Sequence, residues 1–140
     1  MKKYHFVIDR INKNKKFENI FLNKYKNYAP QLCDVIIVLG GDGFMLQTLK
    51  RYKKYNKPFY GINRGTFGFL MNKFKTYNIK KIISKAKAVN ISPLQMTALN
   101  KKNRTLSTIA INEISILRQG RQTAVLKILL GKKILIQKLI

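Results

Sequence analysis

Four residues, Gly40-Gly41-Asp42-Gly43, stand directly after the apolar run Val35-Ile36-Ile37-Val38-Leu39. Three glycines leave a backbone free to take positive φ and bare to approach from outside, so a loop of this make-up can lie against a phosphate chain while presenting a single carboxylate. The chemistry on offer is a phosphate site with one base. The chain holds only five acids, Asp9, Glu18, Asp34, Asp42 and Glu113, against 29 Lys and Arg. On so basic a background, an acid that persists is more apt than usual to have a task. The plain alternative is a tight turn, which Gly and Asp both favour, and short glycine motifs match by accident. Context decides between the two.

That context is a second loop of the same kind. Phe44, Leu46, Leu49, Tyr52 and Tyr55 recur close to helical spacing over residues 43–55, and Pro58 then closes the helix ahead of a short strand, Phe59-Tyr60-Gly61-Ile62. The strand runs into Asn63-Arg64-Gly65-Thr66-Phe67-Gly68-Phe69-Leu70. The order is strand, glycine loop, helix, strand, glycine loop. Parallel strands joined by a right-handed helical crossover place both loops at the carboxyl ends of neighbouring strands, where open α/β sheets bind ligands.

Three segments, Gly40-Gly41-Asp42-Gly43, Asn63 to Leu70, and Ala110-Ile111-Asn112-Glu113-Ile114-Ser115-Ile116, resemble the NAD kinases in order and approximate spacing. The wider runs VLGGDGFMLQTL, GINRGTFGFLMN and AINEISILRQGRQ look like the bacterial branch of that family, and the resemblance covers nearly everything from Asp34 to Ile140. It implies transfer of a phosphoryl group from ATP, or alternatively polyphosphate, to the 2′-hydroxyl of NAD, making NADP. Mg²⁺ is implied by the phosphate donor rather than by any ligand cluster.

The resemblance also assigns roles. Asp42 becomes the catalytic residue, engaging the adenosine ribose hydroxyl and accepting its proton. A carboxylate is far too weak a base to deprotonate an alcohol in the ground state, so it acts late, orienting the hydroxyl and collecting the proton as the bond to phosphorus forms. Gly40, Gly41 and Gly43 belong with the phosphates, and Asn63, Arg64, Gly65, Gly68 and Phe69 line the dinucleotide site. There Gly65 and Gly68 admit the ligand to the backbone, the Asn63 amide donates to phosphate or ribose oxygen, and Phe69 offers a ring face. Phe67 and Leu70 read as core residues beneath the loop. Asn112-Glu113 breaks a β-like run, which is costly if both are buried without partners. The resemblance supplies adenosine or ribose as that partner, and the alternative is a surface strand end or bulge.

The elements that must position these groups divide near Ile91-Ser92-Pro93. Over residues 1–92 we expect an α/β, Rossmann-like parallel sheet: a strand from Tyr4 to Asp9, a helix from Ile11 to Tyr28, the two strand-loop units, and a helix from Tyr77 to Ala88. Residues 93–140 read as the start of an all-β domain, with a strand Leu94–Leu99, a polar turn from Asn100 to Arg104, the run containing Asn112-Glu113, and a final pair, Ala124 to Leu130 and Ile134 to Ile140, split by Gly131-Lys132-Lys133. The family's second domain is longer and carries a further Gly/Ser/Thr-rich segment and an aspartate not matched here. A truncated gene product or partial sequence is therefore expected, incomplete for catalysis unless another chain completes it.

Composition sets the remaining bounds. An apolar content of 46% with 11% aromatics is globular rather than disordered. No stretch of about 18 consecutive apolar residues occurs, and the first residues lack a signal peptide's pattern, so a cytoplasmic protein without a membrane partner is expected. The single Cys33 permits no internal disulfide, and the single His5, in a strand-like run, reads as packing or edge decoration rather than a metal ligand; no metal-binding residues are expected. A formal charge of +24 is what a nucleic-acid-binding domain also shows. The lysines are scattered rather than clustered with aromatics, however, and match an AT-rich coding bias, so nucleic acid is not expected as a partner. A cationic field would still attract NAD and ATP, both anions. The full-length family implies a homo-oligomer. The rival functions are a dinucleotide-binding remnant without turnover and a lipid kinase sharing the Gly-Gly-Asp-Gly loop.

Overall fold

Strand β2 (Val35–Leu39) is buried at every position, which explains why its sequence is an unbroken apolar run: a strand covered on both faces has no solvent side to mark with polar residues. The computed structural model describes residues 2–9, 15–63 and 68–140. Within it the chain divides into two compact units, Met1–Ser92 and Pro93–Ile140.

The first unit is a parallel sheet in the order β1-β2-β3-β4, with β1 Tyr4–Ile8, β3 Phe59–Asn63 and β4 Asn72–Lys73 around β2. Tyr4 pairs with Val35, and Leu39 pairs with Ile62, so β1, β2 and β3 end their carboxyl termini together. Alternation along β2 sends its residues into two cores. Val35, Ile37 and Leu39 join Tyr4, Phe6, Ile62, Phe21 of helix α1 (Lys15–Lys24) and Ile79 of helix α3 (Ile79–Lys85). Ile36 and Val38 join Cys33, Met71 and Met45 of helix α2 (Asp42–Tyr52), with Leu70 packed at the edge. Helices thus cover both faces, as the expected Rossmann-like α/β sheet requires. Among the described residues no helix is long and apolar enough to cross a membrane.

Several boundaries differ from expectation. The helix expected over 11–28 is observed as α1, ending at Lys24; residues 11–14 lie outside the described set. Its end is set by β1: the Tyr28 amide donates to Tyr4 O at 2.9 Å, and Asn27 Oδ1 accepts from the Phe6 amide at 3.0 Å, drawing the chain alongside the strand. Helix α2 passes into a 3₁₀ turn, Lys53–Tyr55, stopped by Asn56 at φ 48°. Helix α3 is shorter than 77–88, starting after Asn78, whose Oδ1 accepts from the Lys81 amide, and ending at Ala86 in extended backbone. Strand β4 was not expected at all. His5 is a packing residue: its Nδ1–H donates to Tyr28 O at 2.7 Å, and its ring lies 5.4 Å from that of Tyr52.

The second unit consists of two antiparallel hairpins, β5 Leu94–Leu99 with β6 Thr105–Ala110, and β7 Leu126–Leu130 with β8 Lys133–Leu139. Asn100 Oδ1 accepts from the Lys102 and Arg104 amides, both at 2.9 Å, to close the first turn, and Gly131 takes φ 58° in the second. The β run expected to continue through Ile114–Leu117 stops at Ala110.

Candidate functional site

The Gly-Gly-Asp-Gly segment forms the corner between β2 and α2. Gly40 follows the strand, its amide donating to Ile62 O of β3 at 3.1 Å. Gly41 is the residue before the helix, in extended backbone at φ −102°, ψ 179°. Asp42 takes the first helical position and Gly43 the second. None of the three glycines adopts positive φ, contrary to the expectation from the sequence. Space is the reason for glycine here. A Cβ at Gly40 would stand 2.8 Å from Phe44 Cδ1 and 3.0 Å from Asp9 Cβ, whereas a Cβ at Gly41 or Gly43 would meet nothing within 4 Å. The first glycine lets strand, helix and β1 close together. The other two leave backbone open to the outside at a helix N-terminus, where unpaired N–H groups and the positive end of the helix dipole favour an anion.

The Asp42 side chain turns toward the second loop. Its Oδ2 accepts from the Phe69 amide at 2.6 Å and its Oδ1 from the Leu70 amide at 3.1 Å. The short Phe69 contact has the length of a charge-assisted bond. The two loops therefore meet, 27 residues apart in sequence, on the carboxyl-terminal rim of the sheet. Gly68 lies directly under the carboxylate. Phe69 itself is fully exposed, its ring clear of the core, while Leu70 packs against the α2-side core as expected. Asn63, half-buried, ends β3; its carbonyl accepts from the Phe74 amide at 2.8 Å. Arg64, Gly65 and Phe67 lie outside the described residues.

Asn112 and Glu113 belong to the second unit, just beyond β6, and both are exposed. The cost of burying an unpartnered amide and carboxylate does not arise there, and the pair stands at a strand end rather than interrupting a strand. One residue on the Asp42 rim was missed by sequence reading. Asp9 follows β1, its amide donating to Leu39 O at 2.9 Å with its Cβ against Gly40. The available signal was that one of five acids stands at the end of the first strand.

Three groups of the α/β unit have shifted titration. Burial pushes the Tyr4 and Tyr60 phenols up, with Tyr25 and Asp34 adding to the effect at Tyr4. Burial also pushes up the Cys33 thiol, whose Sγ–H donates to Pro30 O at 3.3 Å. A buried thiol raised in this way is an inert one. Among the described residues no group of three or more His, Cys, Asp or Glu could hold a metal ion.

Comparison with known proteins adds the following. The family model for the ATP-NAD kinase N-terminal domain matches residues 2–90. The NAD kinase of Brucella suis is 37% identical over 136 residues, covering 97% of this chain and 53% of its own length. The NAD kinase of Hyphomonas neptunium is 42% identical over 118 residues, 84% of this chain and 46% of its own length. That of Cereibacter sphaeroides is 40% identical over 122 residues, 87% of this chain and 48% of its own length. The chain spans about half the length of the curated relatives it matches.

Proposed function

The chain belongs to the NAD kinase family, and from that premise we propose that it supplies the phosphate-handling half of an enzyme that phosphorylates the 2′-hydroxyl of the adenosine ribose of NAD, with ATP or alternatively polyphosphate as donor. The observation that carries the reading is the Asp42 carboxylate, held by two backbone amides at the start of α2 on the rim where both glycine loops meet.

Each carboxylate oxygen has more than one acceptor direction, so the bonds to Phe69 and Leu70 leave Asp42 able to accept a further hydrogen bond from a sugar hydroxyl. Two fixed donors restrict the carboxylate's rotation, and a pre-oriented base is what late proton acceptance demands. The open backbone at Gly41 and Gly43, at the N-terminus of an eleven-residue helix, is suited to the charge of a phosphate. Gly40 closes the corner, and the exposed Phe69 ring is available to stack on a base. Asn63 at the end of β3, the segment Arg64-Gly65, and the exposed Asn112-Glu113 pair are assigned to the dinucleotide in the same reading.

Mg²⁺ fits as an ion that travels with the donor, because Mg²⁺ is commonly bound through substrate phosphates and one or two carboxylates rather than by a protein cage. When bound it neutralises charge on the phosphates. A homo-oligomeric assembly and a reducing, cytoplasmic setting for Cys33 belong to the same proposal.

The test is incubation of the 140-residue chain with NAD and Mg-ATP, and separately with Mg-polyphosphate, followed by detection of NADP. Loss of about a hundredfold or more in Asp42→Asn, with a smaller change in NAD affinity, is expected; unchanged turnover in that variant would refute the role of the acid. The alternative reading, a dinucleotide-binding unit without turnover, is separated by the same assay. It predicts NAD binding and no NADP.

A further inference from the structure

The second loop reaches Asp42 with backbone alone: two amides, and a glycine beneath them. A Cβ added at Gly68 would overlap Asp42 Oδ1 and stand 2.8 Å from Cγ and 2.9 Å from Oδ2. The other described glycines are different. Gly40 and Gly61 are hemmed in by side chains of the core or of the rim, Gly41, Gly43 and Gly131 by nothing within 4 Å, and Gly120 only by the Gln122 amide at 4.0 Å. Gly40 meets the Cβ of an acid, Asp9, but Gly68 alone among them faces the carboxylate group itself.

We propose that Gly68 is the seat of the Asp42 carboxylate, a positioning residue whose missing side chain makes room for the acid, rather than a point of ligand approach. Asp42 has a short side chain on backbone already fixed in the first turn of α2. Its carboxylate can swing away, but it cannot both keep its place and tolerate a methyl group beneath it. The amides of Phe69 and Leu70 then hold the group from one side while the bare Cα of Gly68 sets how closely it approaches. Because the clashing atoms are the free end of a side chain, a substitution at Gly68 displaces the acid without breaking the sheet. The consequence for turnover rests on the reading of Asp42 as the reacting acid; the seat itself does not.

The test uses the ¹⁵N-labelled 140-residue chain and follows the Phe69 and Leu70 amide protons by NMR in wild type, Gly68→Ala, Asp42→Ala and the double variant, with Gly120→Ala as a control. In wild type the Phe69 amide proton is expected downfield and protected from exchange. Gly68→Ala and Asp42→Ala should each move both amides and speed their exchange about tenfold or more, as loss of a net hydrogen bond of about 1.4 kcal/mol would. Amides of Ile36 to Val38 should stay in place, and Gly120→Ala should move none of these signals. In the Asp42→Ala background, adding Gly68→Ala should have no further effect on stability, since the group it collides with is gone. If Gly68→Ala destabilises the α/β unit as a whole, this cycle still decides: the same cost with and without the carboxylate would overturn the proposal. Wild-type amide positions in Gly68→Ala would overturn it as well. Under turnover, Gly68→Ala should lower kcat roughly a hundredfold with little change in KM for NAD, the scale expected for an ångström of misplacement. Displaced amides with unchanged kcat would leave the seat standing and refute the role given to Asp42.

Discussion

Asp42→Asn separates a residue kept only for chemistry from one that also holds the structure together. Acids kept for chemistry alone tend to be neutral or stabilising to remove, because function is maintained at some cost in stability. Here the two bonds at 2.6 and 3.1 Å join α2 to the end of the second loop. Asparagine is nearly the same shape but has one acceptor oxygen, so one of the two amides would face an NH₂ group. Hydrogen bonds to a charged group contribute about 1.5–3 kcal/mol each when protected from water. Phe69 is fully exposed and Asp42 half-buried, so solvent screening reduces the lost bond to about 1 kcal/mol. With the loss of a charge favourable to the helix dipole, ~0.3–1 kcal/mol, the net expectation is a destabilisation of about 1–2 kcal/mol. All seven tyrosines precede Ser92 and the chain has no tryptophan, so tyrosine fluorescence reports on the α/β unit alone. With an m-value of about 2 kcal/mol/M, the urea midpoint should fall by roughly 0.5–1 M. A midpoint equal to or above that of wild type would show that the carboxylate holds nothing.

Three other outcomes follow from the packing. Tyr25 Oη donates to Tyr77 O at 3.0 Å and accepts from the Ile79 amide at 2.9 Å, joining the end of α1 to the start of α3; Tyr25→Phe should cost about 1–2 kcal/mol, and a melting temperature equal to wild type would exclude the link. Gly61 of β3 lies beneath Met71 and Met45, with a built Cβ overlapping Met71 Sδ and 2.6 Å from Met45 Cε. Gly61→Ala should overpack this core by ~1–3 kcal/mol, toward the lower figure because methionine adapts; a stabilised variant in urea would contradict the contact. The raised Tyr4, Tyr60 and Cys33 values mean that the folded state holds these protons more tightly than the unfolded chain. Their contribution is complete below the ordinary values, 9.0 for the thiol and 10.0 for the phenols, and is lost as pH rises through the raised ones. The urea midpoint should therefore hold to about pH 9 and decline above it, less steeply in Tyr60→Phe; a flat profile would remove burial as the cause.

Strand β2 was legible because burial on both faces writes itself as an unbroken apolar run, and the β5-β6 turn because Asn100 carries its own turn chemistry in its side chain. The end of α1 was not legible. Apolar spacing continues to Tyr28, and only pairing with β1 pulls Asn27 and Tyr28 out of the helix. Strand β4 comprises two residues and exists because β3 offers an edge, a fact with no local signature. The glycines of the first loop were recognised but the reason for Gly40 was not: freedom of φ was expected, and room beside Phe44 and Asp9 is what that corner requires.

Residue type and order alone established the strand, glycine corner and helix, and singled out Asp42 among five acids, since periodicity, glycine content and charge scarcity are properties of neighbours along the chain. The partners of that acid came from elsewhere. Only the parallel alignment of β2 with β3 carries the end of the second loop to the rim beside α2. A carboxylate gripped by amides from 27 and 28 residues away is a consequence of register, which forms only when distant segments share a core.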